Sequence, residues 1–451
     1  MEEFITTAIV EAIDFTHDAL GVCKLEDGYT VFVEDMLKGE KAQIVITERK
    51  KNYGLGKVVE RLERSPYRVA PKCKHFNECG GCTLMHMDYD LQVHFKKYRI
   101  ESLLNRKGIE DFVMKDTVSM MNPYYYRNKV EIKFHQGEKG IEAGFFQSKS
   151  HHLVNLEECY IMPKRTFEVI TLIKNVCNEL GIKAYDTHTK TGVLRSALIR
   201  ESFSTKEIVI LLHTTKYEIE KQDIFVKKLT AKISEIKGIG ISKATDESLL
   251  SSDEIEIIFG KDFLTDKIKD LTFEIGFRSF FQTNTLQTEK LFEKAIDYAS
   301  LSGKEKIIDA YCGIGTIGLS AAKHAYKVFG IEVVRQAIAD AKKNAEHNHI
   351  ENAFFEIGTA ETVIKKWKKY KFDVVFVDPP RKGCDKDFID SLIGMKIPKI
   401  VYISCDPATL TRDIALLSAG GYQLIEVTPV DMFPQTTHIE SVSLLVLKGK
   451  A

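Results

Sequence analysis

Asp309-Ala310-Tyr311-Cys312-Gly313-Ile314-Gly315-Thr316-Ile317-Gly318 decides the fold. The apolar run 306–310 leads into it with strand composition, and a helical pattern follows. Its glycines allow a tight turn and a close approach of backbone to ligand. The next strand ends in Gly330-Ile331-Glu332. An acid ~20 positions past such glycines is placed to bond ribose hydroxyls. Working outward, strand-like runs recur at 306–310, 327–331, 353–356, 372–377, 399–404, 423–427 and 441–447, with helical stretches in most gaps. That alternation predicts a mainly parallel, doubly wound sheet over 280–451. Ligands of such sheets bind beyond the carboxyl ends of the strands.

Gly313, Gly315 and Gly318 also satisfy G-x-G-x-x-G, so a dinucleotide-dependent oxidoreductase is a rival reading. Two features favour S-adenosylmethionine (SAM) and a Rossmann-like methyltransferase domain. Asp378-Pro379-Pro380 ends the fourth strand with an acid and a rigid turn. The last two strands follow one another without a crossover helix, which suits an antiparallel final strand.

Ser404-Cys405-Asp406-Pro407 puts a cysteine where a strand hands over to a helix, with Pro407 near the first helical position. Backbone N–H groups and the positive helix end favour thiolate there. Thiolate addition to C6 of a uracil makes C5 nucleophilic toward a sulfonium methyl, and a base must then remove the C5 proton. The loop Asp431 to Ser441 returns to the same sheet edge and offers Glu440 as that base, with His438 as base or orienter. Cys384 is a rival nucleophile in a loop less plainly helix-terminal, and Cys312 fits packing inside the glycine turn.

Cys73, Cys79 and Cys82 fall within ten residues, and Cys159 can supply a fourth thiol. Four thiolates hold zinc or an iron–sulfur cluster. Zinc sites usually pair two short C-x2–4-C units, and only one short pair exists here, which leans toward iron–sulfur.

The rest of the chain divides at about residue 65. Strand-like runs at 8–13, 21–25, 29–33, 40–47 and 57–62, with a hairpin signal at Asp27-Gly28 and a loop at 52–56, predict an OB-like β-barrel over 1–64. Residues 65–279 read as a central α+β domain with the cysteine cluster, including hairpins around 136–140 and 202–205. A helix near 88–108, with Lys96, Lys97, Arg99 and Arg106 as a basic face, can pack on the C-terminal domain. Tyr124-Tyr125-Tyr126-Arg127-Asn128-Lys129 interleaves rings with cations, a pattern suited to unpaired bases and phosphates. The 451 residues are 44% hydrophobic and 28% charged, enough for several domains with real cores. Lys plus Arg and Asp plus Glu number 64 each, so nucleic-acid binding must rest on a local patch rather than bulk charge. No run of ~18 apolar residues predicts a membrane span. Met1-Glu2-Glu3-Phe4 lacks the basic and apolar regions of a secretory signal, so cytoplasmic placement is expected, and separately a monomer.

Together these segments resemble the RNA uracil-C5 methyltransferases of the TrmA, RumA and RlmD group, over nearly the whole chain. The resemblance implies an N-terminal TRAM-like barrel, a central domain and a SAM domain. It implies SAM contacts from Gln282, within Phe280-Phe281-Gln282-Thr283-Asn284, and from Tyr311, Glu332 and Asp378. It implies Cys405 as nucleophile, although Asp406 stands where the family often has Asn, and Glu440 as base. It implies that Cys73, Cys79, Cys82 and Cys159 hold a four-iron cluster, which looks like the branch acting on 23S ribosomal RNA, with a flipped uridine as target and tRNA as the alternative.

Overall fold

The computed structural model describes residues 6–147, 150, 152–243 and 254–449; Met1-Glu2-Glu3-Phe4 lies outside them. Five strands open the chain: β1 (Thr6–Phe15), β2 (Gly21–Lys24), β3 (Thr30–Glu34), β4 (Lys41–Arg49) and β5 (Tyr53–Glu63). They close into a barrel in the order β1-β2-β3-β5-β4. Alternate residues point inward, so Val10, Val31, Val33, Ala42 and Ile44 make its core. Residues 53–56, expected as a loop, instead begin β5 and pair in parallel with β3. Gly54 and Gly56 permit this, because an added Cβ at either would lie 3.2 Å from neighbouring atoms.

Helix α1 (Tyr89–Arg106) and the short strand β6 (Val113–Met114) come next. The expected basic face of α1 is incomplete. Lys96 is fully buried and donates to Asp431 Oδ1 and Phe433 O, while Tyr89 donates to Asp431 Oδ2 at 2.8 Å. Charge alone does not reveal a lysine whose partner lies more than three hundred residues away.

The central sheet is built from β7 (Lys129–Gly137), β8 (Gly140–Phe146), β9 (Leu153–Asn155), helix α2 (Lys164–Leu180), β10 (Leu194–Glu201), β11 (Ile208–Thr214), helix α3 (Gln222–Lys232), β12 (Ile236–Lys243) and β13 (Glu256–Gly260). Its strand order is β13-β12-β11-β10-β7-β8-β9, antiparallel except for β11 with β12. Both faces are covered. Ile199, Ile208, Ile210 and Leu212 pack under α2 and α3, while Leu198, Val209 and Leu211 face the opposite core. That is why β10 and β11 read as nearly continuous apolar runs.

A hairpin, β14 (Phe263–Ile268) and β15 (Leu271–Gly276), leads to α4 (Thr285–Ala299). Then follow β16 (Lys306–Ala310), α5 (Thr316–Ala322), β17 (Lys327–Glu332), α6 (Arg335–His347), β18 (Ala353–Ile357), α7 (Ala360–Lys366), β19 (Val374–Val377), α8 (Lys386–Met395), β20 (Lys399–Ser404), α9 (Pro407–Ala419), β21 (Tyr422–Val430) and β22 (Glu440–Leu447). The sheet order is β18-β17-β16-β19-β20-β22-β21-β6. β16 to β20 run parallel, and β22 inserts antiparallel between β20 and β21. The expected α/β methyltransferase-like layering is therefore present, with the barrel in front of it. β6 extends this sheet, and Ile100 and Leu104 of α1 join one of its two cores. The strand order reverses beside β16, so a crevice opens beyond the carboxyl ends of β16 and β19.

Candidate active site

The glycine turn leaves β16 with three consecutive demands on its backbone. Tyr311 has φ 64°, Gly313 54° and Gly315 85°. Glycine meets such angles without strain, whereas Tyr311 is held there by its surroundings. Glu332, at the end of β17, accepts from Gly313 N at 3.2 Å with Oε2 and from Val334 N at 2.9 Å with Oε1. Asp309 accepts from Gly318 N at 2.8 Å and is fully buried; its Oδ1 has no partner. Burial, and then the charges of Asp378 and Glu332, raise its pKa to about 7. Tyr311 packs edge-on to Phe388 at 5.8 Å. Gln282 is buried, and its backbone oxygen accepts from Asn128 Nδ2 at 2.9 Å. Asp378 caps β19 across the crevice.

The opposite wall is set by register. Ser404 of β20 pairs with Ser441 of β22. The pairing is antiparallel, so the following Cys405 lies opposite the preceding Glu440. Glu440 is 2% exposed and its Oε1 has no hydrogen-bond partner. Burial, with the charge of Asp378, holds its pKa well above the usual carboxylate range; Arg381 acts against this. Burial likewise raises Asp378 to about 7.

Cys405 departs from expectation. Its pKa is pushed up to about 12, by burial and then by the charges of Glu440 and Asp378, with Arg381 opposing. The start of α9 is already satisfied, because Asp406 Oδ1 accepts from Ala408 N and Thr409 N at 2.9 Å. Burial and the two neighbouring acids therefore favour the thiol over the thiolate in the free protein. His438 stays neutral: burial and the cations Arg381, Lys96 and Arg127 lower its pKa. Cys384 is buried with Sγ 3.5 Å from the Tyr402 hydroxyl, and Cys312 is buried inside the glycine turn.

Sequence reasoning missed Arg381. Its place directly after Asp378-Pro379-Pro380 was the available signal, since a residue there faces the same crevice. The ring-and-cation run at 124–129 is partly structural. Tyr126 is 1% exposed and donates to Pro434 O at 2.9 Å. Asn128 is buried and also bonds Thr285 Oγ1 at 2.9 Å. Tyr124 and Tyr125 lie under Lys72 and Lys164, at 4.1 and 5.6 Å.

The four cluster cysteines come together. All are free, burial raises their pKa values, and the charges of Cys73 and Cys79 oppose ionisation of both Cys82 and Cys159. Among the described residues, however, no three His, Cys, Asp or Glu side chains are placed to hold a metal ion. The thiols are neighbours without forming a single-ion site.

Two family models match: the tRNA (Uracil-5-)-methyltransferase model over residues 88–448 and the TRAM domain model over 5–59. The chain belongs to the tRNA (uracil-5-)-methyltransferase family. It is an enzyme of the SAM-dependent RNA uracil-5 methyltransferase class, with a TRAM barrel in front. An uncharacterized RNA methyltransferase of Halalkalibacterium halodurans is 41% identical over 441 residues, covering 97% of this chain and 96% of that protein. One of Bacillus cereus is 40% identical over 438 residues, covering 96% and 95%. Among solved structures, the Pyrococcus abyssi tRNA (uracil-54, C5)-methyltransferase in complex with S-adenosyl-L-homocysteine superposes with a TM-score of 0.76 at 29% identity, covering 97% of this chain and 99% of that one. No described helix is long and apolar enough to cross a membrane.

Proposed function

We propose that this enzyme methylates C5 of a uridine in 23S ribosomal RNA, with Cys405 as nucleophile and Glu440 as base. The supporting observation is the register that sets Cys405 opposite Glu440, beside Asp378 and the glycine turn. Gln282, Tyr311, Glu332 and Asp378 surround the methyl donor. Cys405 sulfur bonds to C6 of the flipped base, and C5 then takes the methyl group from the sulfonium, leaving the thioether product. Glu440 removes the C5 proton, and the C–S bond to Cys405 breaks as the ring double bond re-forms. A carboxylate with a raised pKa suits that proton removal. The thiol needs help to ionise: the donor's positive charge, together with Arg381, favours thiolate once the donor is seated.

Units 1–64, 65–279 and 280–451 serve as barrel, RNA-gripping and chemical modules, with the α1 region joined to the last. The gathered thiols of Cys73, Cys79, Cys82 and Cys159 suit a four-iron cluster better than zinc, since a multi-atom cluster tolerates ligands that do not converge on one point. Anaerobically purified protein should then carry iron and a visible absorption band; zinc alone would reverse the assignment. Cytoplasmic placement follows from an RNA target and reduced cysteines. A second reading, tRNA as substrate, is favoured by the likeness to the Pyrococcus abyssi enzyme.

The test uses ribosomal RNA and tRNA, each unmodified and carrying tritium at uridine C5. SAM-dependent release of tritium to water from ribosomal RNA, lost in Cys405→Ala, is the expected result. Release from tRNA alone would transfer the substrate, and methylation without release would move the target to another atom.

A further inference from the structure

Between the end of β1, one face of α1 and the start of α9 lies a cleft of about 380 Å³, within the size range of small-ligand sites. Asp406, Pro407 and Ala408 form one wall, so the cleft begins at the residue after Cys405. Helix α1 turns Tyr98, Arg99, Ser102 and Arg106 into it, with Ser102 three or four residues after the first pair and Arg106 four further on.

Part of this lining already has structural work. Phe15 and Phe95 meet edge-on at 5.7 Å, and Arg99 lies over Phe95 and donates to His17 O at 2.8 Å, fastening the barrel to α1. The two acids are also engaged: Asp14 accepts from Phe15 N at 2.8 Å, and Asp406 caps α9. Tyr98 and Arg106 are different. The tyrosine is 54% exposed, and among the described residues Arg106 bonds only to Ser102, one turn back on its own helix. An exposed ring and an exposed guanidinium, about two turns apart on α1 and lining a cleft that reaches the residue after Cys405, match single-stranded nucleic acid: bases stack on the ring and phosphate pairs with the cation. A flipped uridine leaves its chain neighbours unstacked at this mouth.

We propose that this cleft holds a nucleotide adjoining the target uridine, its base stacked on Tyr98 and its phosphate held by Arg106. The assignment rests on the RNA reading above and adds a second subsite to it. The subsite makes the enzyme sensitive to what flanks the uridine, since a larger purine stacks better than a pyrimidine.

The probe is a labelled single-stranded oligoribonucleotide of about 4–16 nucleotides with one uridine among adenosines, together with versions lacking the base on either side of that uridine. Binding to the full-length protein is read by anisotropy. Tyr98→Ala should weaken binding of the intact RNA roughly tenfold, in line with loss of one stacked base. One of the two abasic RNAs should lose a similar factor with the wild type and little more with the variant. Tyr98→Phe should restore binding and Tyr98→Leu should not, because stacking needs the ring, whereas a packing role accepts leucine. Arg106→Gln should flatten the dependence of affinity on salt. Equal affinity of wild type and Tyr98→Ala, or losses that multiply rather than overlap, would overturn the subsite. Tritium release by the wild type reports on the C5 chemistry separately. Release without coupling removes the cleft and keeps the reaction; coupling without release keeps the cleft and moves the reaction.

Discussion

Arg381 follows the proline turn after β19, and its charge acts on Cys405, Glu440 and His438 together. It favours the ionised form of the first two, which must both lose protons during the proposed cycle. Catalysis should therefore rise with pH through the neutral and alkaline range. Removing the cation raises both pKa values, so in Arg381→Ala the rising limb moves to higher pH and the rate at neutrality falls by about tenfold, one pKa unit. Pre-steady-state methyl transfer across pH checks this, and an unmoved limb would show that the cation acts only on substrate. Asp309 gives a stability counterpart. Its folded pKa of about 7 exceeds the ordinary value of 3.8. The folded state thus keeps a proton that the unfolded chain releases, and stability declines as pH rises from about 4 to about 7. Asp309→Asn retains an acceptor for Gly318 N without that titration. Its unfolding free energy should vary less over the same range, by an amount on the order of a few kcal/mol at the upper end. Denaturant midpoints at several pH values decide it.

At the scale of elements, what was readable followed local periodicity. The glycine turn, the alternating strands after residue 280 and the short strands of the barrel announce themselves within a few residues. The start of β5 did not, because Asn52-Tyr53-Gly54-Leu55-Gly56 has loop composition and becomes strand only through pairing with β3. Cys405 was legible as a strand-to-helix cysteine, but its raised pKa comes first from burial and then from Glu440 and Asp378, all of which only the folded sheet supplies. Lys96 belongs to the same class. Its buried pair with Asp431 ties α1 to the loop that ends at Glu440, and Gln92 adds two bonds to Gln435 of that loop, one donated and one accepted. Lys96→Met leaves the buried Asp431 carboxylate with Tyr89 as its one remaining side-chain partner among the described residues, so it should cost about 3–5 kcal/mol of stability. Lys96→Met/Asp431→Leu, which leaves no orphaned charge, should recover much of that loss. If activity does not recover with stability, the pair positions the base loop as well as supporting the fold.

Across the whole molecule the question is how the barrel is held where it can serve the active site. Besides the Arg99 bond to His17 O, two further devices among the described residues join it to the rest. Phe15, Ala19 and Leu37 pack against Leu84, Met87 and Phe95, and Glu40 forms a buried latch. Glu40 is fully buried and accepts from Arg61 Nε at 3.1 Å and from Arg68 Nη2 at 2.8 Å; Arg68 Nη1 also reaches Asp35 at 2.8 Å. The backbone of Arg68 in turn bridges to Met87. Deleting residues 1–64 would remove the barrel's proposed RNA contacts but also bare the apolar surface on α1, so weaker RNA binding there would be ambiguous. Arg68→Met is the cleaner cut. Burial disfavours the charge on Glu40, yet bonds from Arg68 hold its pKa below the usual value. The latch therefore contributes at neutral pH and is lost as pH falls through that lowered pKa. Without Arg68 that loss moves to higher pH. If the barrel grips RNA while the C-terminal sheet holds the methyl donor, Arg68→Met should weaken RNA binding about tenfold, the size of one lost interaction of about 1.4 kcal/mol, with donor affinity by calorimetry unchanged. Weakening of both affinities would mean that barrel and sheet act as one cooperative unit, and the division of labour between them would fall.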